Sequence, residues 1–302
     1  MSKEGVAYVN GQFSPVAEAK ISIFDQGFIF GDGVFDTLVV RNGFIFKLDQ
    51  HIDRLYRSAK AIRIQVSMEK RDLEAIVIET VRRSKLRDAY LKCIVTRGIG
   101  ARPVLGRGDN LKPSVVVFCV PPVSVVDPTK VESGARLVST TIKRSQVVSV
   151  DPRVKSVNYL PNMLMRLEAL QAGADEAVSY DDSGHVSEGG AENIFIIRNR
   201  VFKTPGAGVL EGITRETVIE IAEEQGFKVE TTNMTKYDLY NADEVFLCST
   251  AGGIFPVTNI DGRVIGDGKV GHLTRKITDA YETMLNTGMH GTRVLGKNRT
   301  QS

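Results

Sequence analysis

The pair Asn-Gly interrupts strand-like sequence twice within the first 43 residues, and each time it commits the chain to an antiparallel hairpin. Both residue types accept the positive φ that a two-residue turn between right-twisted strands requires. Val6 to Val9 runs into Asn10-Gly11, and Gln12-Phe13 opens the return strand. Val34 to Val40, Asn42-Gly43 and Phe44 to Lys47 repeat the pattern. Tyr90 to Thr96 and Ser114 to Val120 are continuous runs rich in β-branched residues, which reads as buried strand. Between the second hairpin and Tyr90 lie two helical segments. Leu48 to Ile62 places Ile52, Leu55, Ala59 and Ile62 on one face, and Ser67 to Arg83 has Ser67 as a capped start.

Pro121-Pro122 closes this block, and residues 123–132 read as a linker joining two α/β units of unequal size. The second half opens with expected strands at Arg136 to Ile142 and Gln146 to Val150, followed by a helix from Leu160 to Ala172. Glu176 to Tyr180, Asp181-Asp182-Ser183-Gly184 and His185 to Ser187 form a hairpin pattern, and Asn193 to Ile197 a further strand. Thr214 to Gln225 is helical with a stop at Gly226, and Asp243 to Ser249 is a strand entering a Gly-rich turn. Gly271 to Asn286 is the last helix, and Thr287 to Ser302 is expected to fray. The chain is therefore of the mixed α/β class. Its expected divisions are a domain over 1–122, a linker over 123–132, a second domain over 133–287 and a flexible tail over 288–302.

The 39 basic and 36 acidic residues are spread along the 302-residue chain, without the clustered basic face of a nucleic-acid binder, so the expected partner is a small molecule. No stretch approaches the roughly 18 apolar residues of a membrane helix, and the N-terminus carries no apolar signal core. Cys93, Cys119 and Cys248 are widely separated and show no CxxC spacing; they read as buried thiols of a reduced cytoplasmic protein. The four histidines show no metal-ligand spacing, so no metal is expected.

Lys155 sits just before the Leu160 helix, Tyr159 follows four residues later, and the glycine-flanked acid Glu188 lies further on. An amine, a phenol and a carboxylate are the groups that hold a pyridoxal phosphate ring, the amine as Schiff base and the carboxylate against the ring nitrogen. Three segments suit a phosphate: Leu210-Glu211-Gly212-Ile213-Thr214-Arg215, where a turn glycine leads into a helix; Ser249-Thr250-Ala251-Gly252-Gly253; and Arg54, whose fork can bind two oxygens at once. Singly, each has a plain structural reading: Thr214 as a helix cap, Ser249-Thr250 as a turn, Arg54 as a solvated charge.

Their order along the chain resembles the class IV pyridoxal-phosphate aminotransferases, the fold-type IV family of branched-chain and D-amino-acid aminotransferases. The resemblance runs from about Val9 to about Tyr281. It is carried by Phe28-Ile29-Phe30-Gly31-Asp32-Gly33-Val34-Phe35, His51-Ile52-Asp53-Arg54-Leu55, Lys155-Ser156-Val157-Asn158-Tyr159-Leu160, Ser187-Glu188-Gly189, Gly212-Ile213-Thr214-Arg215 and Ala242-Asp243-Glu244-Val245-Phe246. It implies a smaller N-terminal and a larger C-terminal α/β domain with pyridoxal 5'-phosphate between them. It also implies that Lys155 is the Schiff-base and proton-shuttling residue. Tyr159 would then bond the ring's phenolic oxygen, and Glu188 the pyridine nitrogen. Arg54, the Ile213 and Thr214 amides, Ser249 and Thr250 would hold the phosphate, with Leu210 against the ring. Glu192 is expected to be structural. The family pairs as homodimers, and Pro103-Val104-Leu105 is a candidate for the loop that closes the partner's site.

The signals for substrate are mixed. Tyr90-Leu91-Lys92 stands where branched-chain enzymes carry Tyr-x-Arg, and Phe30 and Phe35 fall where those enzymes line the side-chain pocket with aromatic rings. Against this, Val95-Thr96-Arg97-Gly98 with Arg102 resembles the carboxylate trap of D-amino-acid enzymes, although Val104 replaces their histidine; Arg102 reads equally as a surface loop charge. Phe35-Asp36-Thr37-Leu38 departs from the usual Phe-Glu-Gly-Ile, and Ala251-Gly252-Gly253 resembles (R)-selective amine transaminases. The favoured expectation is transfer of an amino group from an L-branched-chain amino acid to 2-oxoglutarate or another keto acid. A D-amino-acid or (R)-amine transaminase is second, and an aminodeoxychorismate lyase third.

Overall fold

The structure is a computed structural model that describes residues 5–101, 111–123, 127, 129–143 and 150–296. In chain order its elements begin with β1 (Val6–Val9), β2 (Gln12–Pro15), α1 (Gln26–Phe30), β3 (Gly33–Arg41), β4 (Phe44–Phe46), α2 (Leu48–Ala61), α3 (Lys70–Ser84), β5 (Ala89–Thr96) and β6 (Ser114–Val120). They continue with α4 (Thr129–Ser133), β7 (Ala135–Ser139), α5 (Leu160–Gln171), β8 (Glu176–Tyr180), β9 (Val186–Gly189), β10 (Asn193–Arg198), β11 (Val201–Thr204) and α6 (Ile213–Glu224). β12 (Lys228–Thr231), α7 (Lys236–Tyr240), β13 (Glu244–Ser249), β14 (Gly253–Ile260), β15 (Arg263–Val264), α8 (His272–Thr287) and β16 (Gly291–Arg293) complete the chain.

These elements form two compact units, one of Met1–Val123, Val154–Asn158 and Met284–Ser302, the other of Ser124–Arg153 and Tyr159–Thr283. Because two later segments return to the first unit, the units are closer in size than a single cut at the expected linker would make them. The first unit is built on a sheet of order β16-β4-β3-β5-β6-β1-β2. Both Asn-Gly turns form as the sequence requires, with Asn10 and Asn42 at φ 47° and 52°. One face of β3 and β5 carries Val34, Leu38, Leu91, Cys93 and Val95, all fully buried against Ile52, Leu55 and Ala59 of α2. The second unit is a larger sheet of order β12-β11-β10-β13-β14-β7-β8-β9, with β15 paired to β14. Its core gathers Val178, Ile194, Leu247, Phe255 and Ile260.

Several expected boundaries move, each for a local reason. The helix expected from Ser67 starts at Lys70 with Glu69 at its cap position, since Tyr56 OH donates to the Met68 carbonyl and holds that turn outside the helix. The strand expected to reach Ile142 stops at Ser139. Beyond it, the Thr140 and Thr141 hydroxyls and the Thr141 amide all donate to the Glu168 carboxylate, which draws the chain off the ladder. Residues 129–132 of the expected linker are helical, started by Asp127, which accepts from Thr129 N at 2.9 Å and Thr129 Oγ1 at 2.8 Å. The expected fraying tail contains β16, which pairs antiparallel with β4. The strand expected over Gln146 to Ser149 lies outside the described residues, and Val150 is not in a strand.

Candidate active site

In the first unit, the alternation of a strand sorts the candidate residues onto two faces of one sheet. Phe35 and Thr37 of β3 share a face with Tyr90, Lys92 and Ile94 of β5, because Phe35 pairs with Ile94 and Thr37 with Lys92. Asp36, between Phe35 and Thr37, turns to the opposite face and meets α2. There His51 and Arg54, one helical turn apart, both reach it: His51 Nδ1 lies 2.7 Å from Oδ1, Arg54 Nε donates to Oδ2 at 2.9 Å and Nη2 to Oδ1 at 2.8 Å. All three are buried. Burial alone would raise the Asp36 carboxyl, but Arg54 and His51 outweigh it and hold the group well below the usual carboxylate range. Burial pushes the His51 pKa down, against the pull of Asp36, and His51 Nε2 is left without a hydrogen-bond partner.

Lys155 enters this unit as a short extra strand. Its carbonyl accepts from Phe35 N at 2.9 Å, Ser156 bridges Val34, and Val157 N donates to Gly33 O at 3.0 Å. Ser58 Oγ of α2 accepts from Lys155 N at 3.1 Å. The Lys155 ammonium lies over the Phe35 ring, 4.7 Å from its centroid, and Lys92 lies 4.2 Å from the same centroid. Burial, then the nearby Lys155 charge, lowers the Lys92 pKa. Asn158 anchors the end of the segment through a 2.7 Å bond from Nδ2 to the Gly31 carbonyl. Gly31 closes α1 in the left-handed region at φ 67°, where a side chain would overlap Asn158 Oδ1. Phe30, in α1, is partly exposed.

In the second unit, strand direction brings three connections to one edge of the sheet. β10 starts at Asn193, which pairs with Cys248 near the end of antiparallel β13, and β11 ends at Thr204, whose Oγ1 donates to the Ile194 carbonyl. The turn before β10, the Ser249–Gly253 turn after β13 and the segment leading from β11 to α6 therefore lie side by side. Glu188, at 4% exposure, lies near the end of β9 on this edge, and its Oε2 accepts from Leu210 N at 2.9 Å and from Asn193 Nδ2 at 3.3 Å. The Asn193 amide also donates to the Leu210 carbonyl at 3.0 Å. Gly212 caps α6, leaving the Ile213 and Thr214 amides in the first turn, whose N–H groups lack partners within the helix. Ser249 Oγ accepts from Gly252 N at 3.1 Å, so its hydroxyl shapes the turn that carries Thr250, Ala251 and Gly252. Tyr159 precedes α5 and its carbonyl accepts from Met163 N at 2.9 Å.

Two motif carboxylates are structural. Glu244 accepts from Leu273 N, Thr274 N and Thr274 Oγ1 and so caps α8, while Asp243 accepts from Asn199 N at 2.7 Å. Glu192 is buried and accepts from Ala191 N at 2.8 Å; burial, then Glu176, pushes its pKa up to about 8. Arg97 makes four hydrogen bonds within its unit: its fork pairs with Asp32 and donates to the Ile62 and Arg63 carbonyls at the end of α2. Arg102 and the Pro103-Val104-Leu105 segment lie outside the described residues.

The family model that matches this sequence is class IV amino-transferase, over residues 33–260. The chain belongs to that family. The aminotransferase is 42% identical over 277 residues to a Methanocaldococcus jannaschii protein provisionally named a branched-chain-amino-acid aminotransferase, covering 91% of this chain and 94% of that one. It is 35% identical over 278 residues to D-alanine aminotransferase of Bacillus licheniformis, covering 91% and 95% of the two. Among solved structures, the T.th. branched-chain amino acid aminotransferase with pyridoxamine 5'-phosphate superposes with a TM-score of 0.91 at 32% identity, covering 98% of this chain and all of that one. Within the first unit, the buried Lys155 amine and Arg54 guanidinium are groups of the kind such a cofactor calls for, and so, within the second taken by itself, are the hydrogen-bonded Glu188 carboxylate and the glycine-capped start of α6. An aldehyde, a phosphate and a pyridine nitrogen call for those groups.

Three contributors escaped the sequence reading. Asp36 was visible only as a departure from a motif, and a buried acid within an apolar strand announces itself only through a partner far along the chain. Ser58 and Asn193 are small polar residues whose roles come from tertiary neighbours, and neither has a periodic signature.

Proposed function

We propose that this aminotransferase moves an amino group between an L-branched-chain amino acid and a dicarboxylic keto acid such as 2-oxoglutarate. The cofactor is pyridoxal 5'-phosphate, which when bound supplies the electron sink that makes loss of a Cα proton feasible. Lys155 Nζ would hold the cofactor through its aldehyde carbon and would serve as the group that moves the substrate's Cα proton. Glu188 pairs with the ring nitrogen, Tyr159 with the phenolic oxygen, and Leu210 packs against the ring. Arg54, the Ile213 and Thr214 amides, Ser249 and Thr250 hold the phosphate.

The observation that carries the substrate class is the sheet face beside Lys155. Phe35, Tyr90 and Ile94 give it an apolar, aromatic character, and Lys92 adds a single half-buried cation seated on Phe35. Such a face takes a leucine-like side chain against the rings and an acidic one against the ammonium. Phe30, Ala251 and Gly252 are the remaining candidate contacts. A D-amino-acid or (R)-amine transaminase is the second reading, favoured by the Ala251-Gly252-Gly253 turn, where the branched-chain pattern has bulkier residues. The pairing of Arg97 with Asp32 and two backbone carbonyls weighs against its use as a carboxylate trap. Steady-state assays with L-leucine, D-alanine and (R)-1-phenylethylamine against 2-oxoglutarate and pyruvate separate the two. Pyruvate release from aminodeoxychorismate without an acceptor would single out the lyase. Lys155→Ala is expected to bind the cofactor without its Schiff-base absorbance and to lose transamination; retained turnover sinks the assignment.

A homodimer is part of the same reading. The first unit exposes Ile21, Ile23, Phe24, Phe28 and Ile99, and in the second, one face of α5 exposes Leu160, Met163, Leu164, Leu167 and Leu170. Patches of this kind are normally covered, here by a second copy. A monomeric mass by light scattering with full activity would count against it. Among the described residues no helix is long and apolar enough to cross a membrane, and the three free, buried cysteines support a reducing, cytoplasmic setting.

A further inference from the structure

We propose that Asn193 is a positioning residue that ties the Glu188 carboxylate to the Leu210–Gly212 turn, so that the groups for the ring nitrogen and for the phosphate are held as one piece. The proposal rests on the reading above, in which Glu188 meets the ring nitrogen and the start of α6 meets the phosphate.

The geometry is a closed ring of hydrogen bonds. Glu188 Oε2 accepts from Leu210 N at 2.9 Å, the Leu210 carbonyl accepts from Asn193 Nδ2 at 3.0 Å, and the same Nδ2 donates to Glu188 Oε2 at 3.3 Å. Both N–H bonds of one amide are thereby used, and both backbone groups of Leu210 are pinned. On its other side, Asn193 Oδ1 lies against Gly212, where an added Cβ would overlap it. Gly212 is the cap of α6, so the amide touches the residue from which the phosphate-facing helix springs. Asn193 itself is 6% exposed and fixed by its ladder pairing with Cys248 at the start of β10. Two N–H groups converging on Oε2 hold that oxygen in place, and a glycine turn braced by a buried amide has little freedom to tilt. Asn193 supplies both restraints from a single rigid strand position.

The test uses the full chain without cofactor and two probes, pyridoxal 5'-phosphate and pyridoxal, the same ring without phosphate. Asn193→Ala is expected to lower pyridoxal affinity about tenfold, the worth of a charge-assisted hydrogen bond, and to lower pyridoxal phosphate affinity by more, since both restraints go. Its bound cofactor should also show the pH-dependent visible absorbance moved in the same direction as in Glu188→Gln, which a general loosening of the fold does not produce. Gly212→Ala guards against a misfolded first variant. Although it sits at the phosphate end, displacing Asn193 should weaken pyridoxal binding too. Unchanged pyridoxal affinity in Asn193→Ala, or a Gly212→Ala defect confined to the phosphorylated probe, overturns the proposal. Glu188→Ala and Thr250→Ala test the underlying reading separately. If the first leaves pyridoxal affinity intact, or the second weakens both probes equally, the reading of those groups fails whatever Asn193 does.

Discussion

Asp36 and Arg54 meet in a two-point ion pair, Nε to Oδ2 at 2.9 Å and Nη2 to Oδ1 at 2.8 Å, with both side chains almost wholly out of solvent. The pair fixes the plane of the guanidinium before any ligand arrives. Removing the carboxylate should therefore harm the empty protein as well as the loaded one. Asp36→Ala is expected to cost about 3 kcal/mol in denaturant unfolding without cofactor, because it strands a buried cation. Arg54→Met should weaken pyridoxal 5'-phosphate binding while leaving pyridoxal binding nearly unchanged; equal losses for both probes would remove Arg54 from the phosphate site.

Two buried groups give stability opposite slopes in pH. His51 has a lowered folded pKa, so its contribution is complete above the ordinary histidine value near ~6.5 and is lost as pH falls below it. Glu192 has a raised one, so its contribution is complete below the ordinary carboxylate range and is lost as pH rises toward about 8. Each slope is at most about 1.4 kcal/mol per pH unit. In unfolding measured from pH 5 to pH 9, the stability difference between wild type and His51→Asn should change with pH only below about 6.5, and that between wild type and Glu192→Gln should change with pH up to about 8. Parallel curves for all three proteins would refute the assignment.

Lys92→Met keeps the stem of the side chain and removes its charge. The KM for 2-oxoglutarate is expected to rise about tenfold or more, while that for L-leucine changes little. Because the Lys92 pKa is lowered, the wild-type KM for 2-oxoglutarate should also climb on the alkaline side before free lysine would titrate. A tenfold loss for leucine as well would show that Lys92 acts on the fold or the cofactor instead.

Gly31→Ala tests the anchoring of the lysine segment. The left-handed φ of 67° costs roughly 1 kcal/mol for alanine, and the new methyl group displaces the Asn158 amide that holds the Gly31 carbonyl. The expected result is reduced kcat with a modest fall in melting temperature. Unaltered kcat at saturating substrate would show that Asn158 does not set the Lys155 position.

The strands of the first half were legible because Asn-Gly turns and β-branched runs act over a few residues. Lys155, Arg54, Glu188 and Thr214 were proposed as a set from the order of their motifs, since none stands out singly. What escaped detection depends on distance along the chain. The pairing of Gly291–Arg293 with Phe44–Phe46 joins segments some 247 positions apart, and no local pattern in a Gly- and Thr-rich tail announces it. Helix starts slipped by a few residues where tertiary bonds, such as Tyr56 to Met68, outcompeted a plausible serine cap. Asn193 and Ser58 were invisible for the same reason: a polar group matters through what it touches, and sequence spacing does not show what that is.

The first unit's sheet is finished by chain made long after its own strands. The early half of β3 is paired by residues 155–157, and the outer edge of β4 by residues 291–293. On the ribosome, then, the N-terminal hairpins wait with open strand edges until residues 291–293 have emerged, and such edges invite pairing with other chains. Removal of residues 291–293 should surface as a defect in the first strands of that sheet, in solubility during synthesis more than in chemistry afterwards.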